Sequence, residues 1–399
     1  MGGLILPDAA WRMRAGLDRL CEVLGTGAAR FVGGAVRDTL LGLAVADVDL
    51  ATELPPEDVL DQVRAAGIKA VPTGLAHGTI TVVLPDGPVE VTTLRRDVAT
   101  DGRHATVAFT QAWEEDAARR DFTINALYAD PVTGEVFDYF GGVDDLGARR
   151  VRFIGDPLKR IAEDHLRILR FFRFQARFGA DVDADGLAAC AARANDLMAL
   201  SRERIAAELL KLLVAERAVP TVGLMIEQGI FRPVLPEITD VDRFTALVER
   251  EIAAGIAPNA IRRLAALLPA DAAIAEDIGA RLKLSKLDRR RLVSATHPAG
   301  AEPPQAIAYT IGTDLAIDRL LLSGRSVADA QAIANWQVPR LPVSGGVLVE
   351  RGVRKGPEVA TLLRVIEAEW VRAGFPEQAR LDAIVATALD QWRLDSSNA

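Results

Sequence analysis

Cysteine is nearly absent from this 399-residue chain: Cys21 and Cys190 stand alone, neither with a second cysteine at metal-ligand spacing. That excludes a disulfide scaffold and a thiolate zinc site, and leaves buried reduced thiols as the expectation. Histidine is equally scarce. His77, His104, His165 and His297 are too scattered for a zinc site, and no His-Asp doublet signals a metal-dependent phosphohydrolase domain. The Gly-Lys-Ser/Thr of a Walker loop and the Gly-x-Gly-x-x-Gly dinucleotide turn are both missing. No apolar run approaches a membrane span, and Leu4-Ile5-Leu6 before Pro7-Asp8 is too short for a secretory signal, so a cytoplasmic protein is expected. Low-complexity tracts and obvious repeats are lacking too. What remains, 50% apolar and 26% charged, is a globular chain long enough for two to four domains.

The net charge of −8 argues against indiscriminate binding to polyanions, but the charge is unevenly spread. Between Arg149 and Arg177 there are nine Lys/Arg against three Asp/Glu, and Arg281 to Arg291 holds six against one. Local basic surfaces on an acidic protein fit selective contact with a nucleic-acid backbone. For the second cluster, solvated helix faces are an equal alternative.

The most informative stretch runs from Phe31 to Asp49. Ala29 to Val32 reads as the end of a short buried strand, Gly33-Gly34 permits a tight turn with close backbone approach, and Val36 to Leu41 has helical spacing stopped by Gly42. Amide groups at such a turn attract phosphate oxygens, and Arg37 adds a permanently charged fork. Asp47 and Asp49, two apart in the apolar frame of Ala46, Val48 and Leu50, are expected on one face of a strand, as hard oxygen ligands suited to Mg²⁺. Turn and carboxylates together point to metal-assisted chemistry on a nucleoside triphosphate.

Up to about residue 153 the texture is mixed α and β. Leu17 to Leu24, Pro56 to Ala66 and Trp113 to Ala118 read as helices; Thr79 to Leu84 and Val89 to Leu94 read as a hairpin around Pro85-Asp86-Gly87-Pro88; Val107 to Phe109 and Val136 to Tyr139 are expected short strands. From Asp156 onward strand signals nearly vanish and the remainder is expected to be helical, with prolines placing a boundary near 297 to 304. Glu90, between Val89 and Val91, faces away from the apolar side and is a third acidic candidate if its strand neighbours that of Asp49; an exposed strand glutamate is the alternative.

Two further runs carry chemistry. Arg119-Arg120-Asp121 precedes the core-seeking Phe122 and Ile124, with Asn125 as a turn anchor; arginine can clamp triphosphate oxygens and aspartate can accept from a ribose hydroxyl. Asp164, Arg167, Arg170 and Arg173 fall on an expected helix starting near Asp156-Pro157, with Asp164 and Arg167 as surface neighbours. A carboxylate accepts from an exocyclic amine and a guanidinium beside it donates to a ring acceptor, matching the groups offered by cytosine and adenine and not those of uracil or guanine. Steps of three drift around the helix, so Arg173 lies roughly opposite Asp164 and is expected to reach phosphate or RNA instead.

In these blocks the chain resembles the class II tRNA nucleotidyltransferase/poly(A) polymerase family, bacterial CCA-adding type. The matching stretches are Gly33 to Gly42 with Asp47-Val48-Asp49, Thr73 to Thr79, Glu90 to Arg95, Arg119 to Ala126, Glu163 to Arg173 with Phe174 and Arg177, and Ser201 to Ile205 with Glu208, in family order over about residues 28 to 215. The resemblance implies an α+β fold: a polymerase-β-like nucleotidyltransferase head, a mixed sheet with helices, over residues 1–153. An all-helical neck over 154–215 would carry the nucleotide-recognition helix, followed by a body over 216–297 and a tail over 298–399 in contact with tRNA. It implies template-free completion of the 3′ CCA end of tRNA from CTP and ATP with Mg²⁺. By position, Asp47 and Asp49 match the metal ligands, Gly34, Arg37 and Arg120 match nucleotide-binding positions, and Asp121 matches the ribose-contacting acid. Glu90 matches the third acidic position, and Asp164, Arg167, Arg170 and Arg173 match the recognition helix. Arg95 to Thr106 corresponds to a flexible loop associated with the switch from C to A addition, here short. A poly(A) polymerase, or an enzyme adding only CC or only A, would share these motifs; a catalytically silent RNA-binding protein would not need the carboxylates.

Overall fold

The computed structural model describes residues 3–100 and 105–397, with side chains over 3–96 and 107–395, and the chain forms two compact units, residues 1–236 and 237–399. The first unit opens with α1 (Leu17–Leu24), β1 (Ala29–Val32), α2 (Gly34–Leu40), β2 (Asp49–Thr52), α3 (Pro56–Ala65), β3 (Lys69–Gly74), β4 (Thr79–Leu84) and β5 (Gly87–Thr93). A separate ribbon of β6 (Arg95–Thr100) and β7 (Ala105–Phe109) takes up the loop expected over Arg95 to Thr106, of which residues 101–104 lie outside the described residues. Next come α4 (Trp113–Ala118), β8 (Leu127–Ala129), β9 (Val136–Asp138) and α5 (Gly142–Gly147). The helices α6 (Pro157–Glu163), α7 (Arg167–Phe178), α8 (Ala184–Ala192), α9 (Arg202–Leu213) and α10 (Ala218–Glu227) follow, with no further strand among the described residues.

Seven strands make one sheet in the order β3-β4-β5-β2-β1-β8-β9, antiparallel throughout except where β2 lies parallel to β5. Alternation sets its faces: on β5, Val89, Val91 and Thr93 are buried while Glu90 is exposed. Helices α1 and α3 cover the apolar side through Leu17, Leu20 and Leu24, and Val59 and Val63. Pro56 at the first position of α3, with Glu57 and Asp58 in its first turn, suits a helix start, because the missing N–H would be unpaired there and the acids face the positive end of the dipole.

Two expected elements are corrected. Strand β2 starts at Asp49, so Asp47 sits in exposed coil just before it; the ladder to β1 reaches only Leu50 and that to β5 only Asp49, which leaves residue 47 without a strand partner. The helix expected to run from about Asp156 through Arg173 is broken. Asp164 is extended (φ −151°, ψ 108°), ending α6, and its Oδ1 accepts the Leu166 N–H at 3.1 Å while its carbonyl accepts the Arg167 N–H at 3.0 Å. A short acidic side chain competing for nearby backbone groups stops one helix and helps start the next.

Around the break an aromatic core joins the mixed part to α7: Phe122 packs against Phe153 (ring centroids 4.8 Å apart), Phe174 (5.5 Å) and Phe171 (6.3 Å). The cysteines are unpaired; Cys190 is buried, and burial, reinforced by Asp18, pushes the Cys21 thiol up to about 12, so both stay protonated.

The second unit is helical among its described residues from Asp242 to Ser397. Leu348, Leu362, Ile366, Trp370, Leu381 and Val385 form one of its cores. Arg262, 2% exposed, lies between Glu251 (2.6 Å) and Asp318 (3.2 Å), and Arg291 meets Asp318 at 2.6 Å. Arg281 pairs with Glu237 and Arg289 with Glu276. At least three of the six cations from Arg281 to Arg291 are therefore paired within the fold, which weakens the reading of this run as a backbone-binding stripe.

Removing Phe122, fully buried among three rings, should cost about 3–5 kcal/mol, the usual range for a large-to-small core change. Urea unfolding of Phe122→Ala should show that loss; a midpoint equal to wild type would mean that these rings do not hold α7 to the sheet.

Candidate active site

The site begins where β1 ends. Gly33 has φ 66° and ψ −115°, a backbone shape that only glycine adopts readily, and a Cβ there would lie 3.4 Å from Arg120 Nη1 and 3.5 Å from the Asn125 carbonyl. Its N–H donates to the Leu127 carbonyl at 3.0 Å and its own carbonyl accepts the Arg37 N–H at 3.0 Å, so α2 starts at Gly34, earlier than the expected Val36.

Two of the three acidic candidates, Asp49 and Glu90, lie on neighbouring strands, with Asp47 in the coil just before β2. The parallel register sets Asp49 beside Glu90, which places both on the same face of the sheet. Burial first, then Glu90 and Asp47, raise the Asp49 carboxyl to about 6, with Arg120 pulling the other way. Negative charge is thus concentrated at Asp49 beyond what Arg120 offsets, and the donors are all hard carboxylate oxygens; a small divalent cation fits that chemistry. Among the described residues no three His, Cys, Asp or Glu side chains are gathered as a ready-made cage.

A cavity of about 370 Å³ opens beside Asp49, and its wall includes Gly33, Gly34, Arg37, Arg120, Asp121, Asp164, Arg167 and Arg170 from the sequence reading. Asp47, Glu90 and Arg173 are not on its wall. Arg37 is buried, donating from Nε and Nη2 to Asp38 at 2.8 Å and from Nη1 to Asn125 Oδ1, and its guanidinium lies over Phe178 and Phe174. Arg120 donates to Tyr128 Oη at 3.1 Å and Asp116 at 3.1 Å, leaving part of its five-donor fork for a ligand. Asp121 accepts from the Phe122 N–H and Asn125 Nδ2, each at 2.9 Å, and from Arg170 at 2.6 Å. Burial opposes its charge, yet Arg170 and Asn125 outweigh burial and hold the carboxyl below the usual range.

The Asp164–Arg167 pair expected from helical spacing is not made. With the helix broken, both Asp164 oxygens accept from Arg204 Nη2 (2.9 and 3.1 Å), on the first turn of α9. Arg167, buried, donates to Glu163 at 2.5 Å and to the carbonyls of Arg160 and Arg119 at 2.9 Å. Arg173, expected to reach phosphate or RNA, turns away from Asp164 but donates instead to the Glu208 carboxylate at 2.5 Å and lies 4.0 Å from the Phe174 ring centre, because α9 packs against its face of α7. Of the nine basic residues between Arg149 and Arg177, seven are ion-paired: Arg150 and Arg152 with Asp145, Arg160 and Arg167 with Glu163, Arg170 with Asp121, Arg173 with Glu208 and Arg177 with Asp38.

Sequence reasoning missed the support under Arg120. Asp116, 1% exposed, accepts from Arg119 (2.8 Å), Arg120 and Tyr128 Oη (2.7 Å). Its place on α4, three and four residues ahead of the two arginines that follow the helix, was a readable signal; Tyr128, on a short strand, had none. Asn125 and Phe174 also line the cavity without having been singled out as binding residues, and Arg119, the first of the expected arginine pair, lines it too.

Residues 29–152 match the model of the Poly A polymerase head domain, and residues 181–241 match one described as the probable RNA and SrmB- binding site of polymerase A. The chain is 36% identical over 378 residues to CCA tRNA nucleotidyltransferase 1, mitochondrial, of Danio rerio, covering 90% of this chain and 86% of that protein. It is 31% identical over 386 residues to the CCA-adding enzyme of Levilactobacillus brevis, covering 91% and 94%. Among solved structures it is similar to the Bacillus stearothermophilus CCA-adding enzyme in complex with CTP, at 26% identity and a TM-score of 0.69 over 96% of this chain and 98% of that one. The Thermotoga maritima CCA-adding enzyme complexed with tRNA shares the fold, at 18% identity and a TM-score of 0.70 over 98% of this chain and all of that one.

Asp116 supplies a pH test of the scaffold. Burial pushes its carboxyl up, but Arg120 and Arg119 overcome this and hold it at about 2 against an ordinary 3.8. The unfolded chain therefore binds the proton more tightly across that interval, and the group contributes about 2 kcal/mol of stability that is complete above the ordinary value and lost as pH falls through about 2. The difference in unfolding free energy between wild type and Asp116→Asn should narrow by that amount from about pH 5 to about pH 2; a gap independent of pH would remove Asp116 from the network.

Proposed function

Because the chain belongs to the class II tRNA nucleotidyltransferase/poly(A) polymerase family, we propose that it completes the 3′ end of tRNA, adding C and A from CTP and ATP without a nucleic-acid template. The observation that carries this reading is the single cavity that brings the Gly33-Gly34 turn, Asp49 and Arg120 together with Asp164, Arg167 and Arg170. Head, neck, body and tail divided after residues 153, 215 and 297 belong to the same proposal, with tRNA contact in the tail.

Enzymes of this family use divalent metals, and for this chain the ion is taken as Mg²⁺ held by Asp47 and Asp49, with Glu90 beside them. The reaction is a two-metal in-line displacement in which the tRNA 3′-oxygen bonds to the α-phosphorus and pyrophosphate leaves; one bound ion would favour ionisation of the 3′-hydroxyl and a second would offset charge on the triphosphate. The turn at Gly33-Gly34 lets the chain approach the triphosphate closely, and Arg37 and Arg120 offer it guanidinium N–H groups not already engaged by protein. For Asp121 to accept from a ribose hydroxyl it has to share an oxygen now held by Arg170 or by the Phe122 and Asn125 N–H groups. Asp164 accepts the exocyclic amine of cytosine or adenine while Arg167 donates to the ring nitrogen beside it, which requires Asp164 to share with the base the oxygens now turned to Arg204, and Arg167 to spare an N–H. Arg170 fixes Asp121. Arg173, tied to Glu208 off the cavity wall, acts through the packing of α7 against α9 and not on the nucleotide.

Supplying a tRNA that lacks its 3′ end with CTP and ATP, singly and together, tests the reading. CTP alone should give two additions, and both nucleotides should give CCA and a stop; a lengthening A tract would make the protein a poly(A) polymerase, and arrest after CC a partial enzyme. Asp47→Ala and Asp49→Ala should each reduce incorporation of both nucleotides to background while tRNA binding persists. Asp164→Ala combined with Arg167→Ala should relax discrimination against UTP and GTP by about tenfold or more, since mispaired buried groups cost about 1–3 kcal/mol each. Unchanged selectivity would retire the protein-template idea.

A further inference from the structure

We propose that Asn125 is a positioning residue for the nucleotide: its side-chain amide holds Arg37 and Asp121 at fixed points on the cavity wall and so sets affinity for a nucleoside triphosphate whatever its base. This rests on the nucleotide-binding reading above. Asn125 is 7% exposed and closes the 3₁₀ turn Thr123–Asn125, its N–H donating to the Phe122 carbonyl at 2.9 Å. Its Oδ1 accepts from Arg37 Nη1, its Nδ2 donates to Asp121 Oδ1 at 2.9 Å, and its backbone carbonyl faces Arg120 Nη1 at 3.5 Å. One neutral residue thus meets two cations and one anion of the same cavity.

The chemistry requires an amide. Arg37 offers only donors and ionised Asp121 only acceptors, so the group between them must accept on one side and donate on the other. Turning the amide over would set N–H against guanidinium and oxygen against carboxylate, so its orientation is fixed by its neighbours. Aspartate at this position keeps the acceptor for Arg37 but presents a second negative oxygen to Asp121; alanine leaves both partners with a lost bond. Neither Asp164 nor Arg167 touches Asn125 in any described hydrogen bond, so the effect of removing it should not depend on the base.

Isothermal titration of the full chain with CTP and with ATP, in Mg²⁺, tests this on wild type, Asn125→Ala and Asn125→Asp, alongside thermal melting and incorporation kinetics. Affinity for both nucleotides should fall by about tenfold in each variant, in equal proportion for CTP and ATP, with KM for nucleotide raised and the CTP-to-UTP preference kept. A residue that served stability alone would lower the melting temperature and the active fraction without changing affinity per folded molecule. Affinities within about twofold of wild type, or a loss confined to one nucleotide, would overturn the assignment; if Asn125→Asp does not fold, Asn125→Ala decides. Wild type that binds CTP and ATP yet incorporates neither would sink the proposed function and leave this inference standing, whereas wild type that binds neither sinks both.

Discussion

The ion pair between buried Asp121 and half-buried Arg170, 2.6 Å long, is the contact on which the cavity's shape depends. It joins a residue from the turn after α4 to one on α7, and it continues through Asn125 to Arg37 on α2, giving a hydrogen-bonded path Arg37–Asn125–Asp121–Arg170 across the wall. Such a path is expensive to bury unless its members are partnered, and here each of the four side chains has at least one described hydrogen bond. The sheet delivers the acidic residues independently of this path: parallel pairing of β2 with β5 puts Asp49 beside Glu90 because backbone register alone requires it. Asp49 and the arginine-lined wall therefore rest on separate supports that meet at one opening.

The basic run from Arg149 to Arg177 shows how charge counted along a chain differs from charge presented at a surface. Seven of its nine cations lie against carboxylates, three of which, Asp121, Glu208 and Asp38, come from distant parts of the sequence. Arginine suits this duty, since its planar fork can meet a carboxylate and lie over an aromatic ring at once, as Arg173 does with Glu208 and Phe174. The excess of positive charge in that segment is in large part the scaffold of the cavity.

Much of the first unit was legible in the sequence because its signals are local. The α1 and α4 spans, the β4–β5 hairpin and the glycine turn follow from apolar spacing and from residues with special backbone freedom. The gathering of Gly34, Arg120, Asp121 and Arg170 was legible as well, through motif order and not through periodicity. What could not be read were the partners. Nothing near Asp164 in the chain points to Arg204, forty residues on, or explains why Arg167 should turn to a carbonyl of Arg119; such choices are made by tertiary packing. The continuous helix was expected because helical spacing carries on past residue 164, and a single aspartate with local backbone bonds was enough to interrupt it.

That interruption has a geometric consequence. In an unbroken helix, residues 164 and 167 would be tied to a common pitch, and moving one would drag the other around the same cylinder. Lying between two helices, Asp164 is mounted on α9 through Arg204, while Arg167 is mounted on α6 and on the end of α4, so the acceptor and donor sides of the pair answer to different anchors and the distance between them is not a property of either helix.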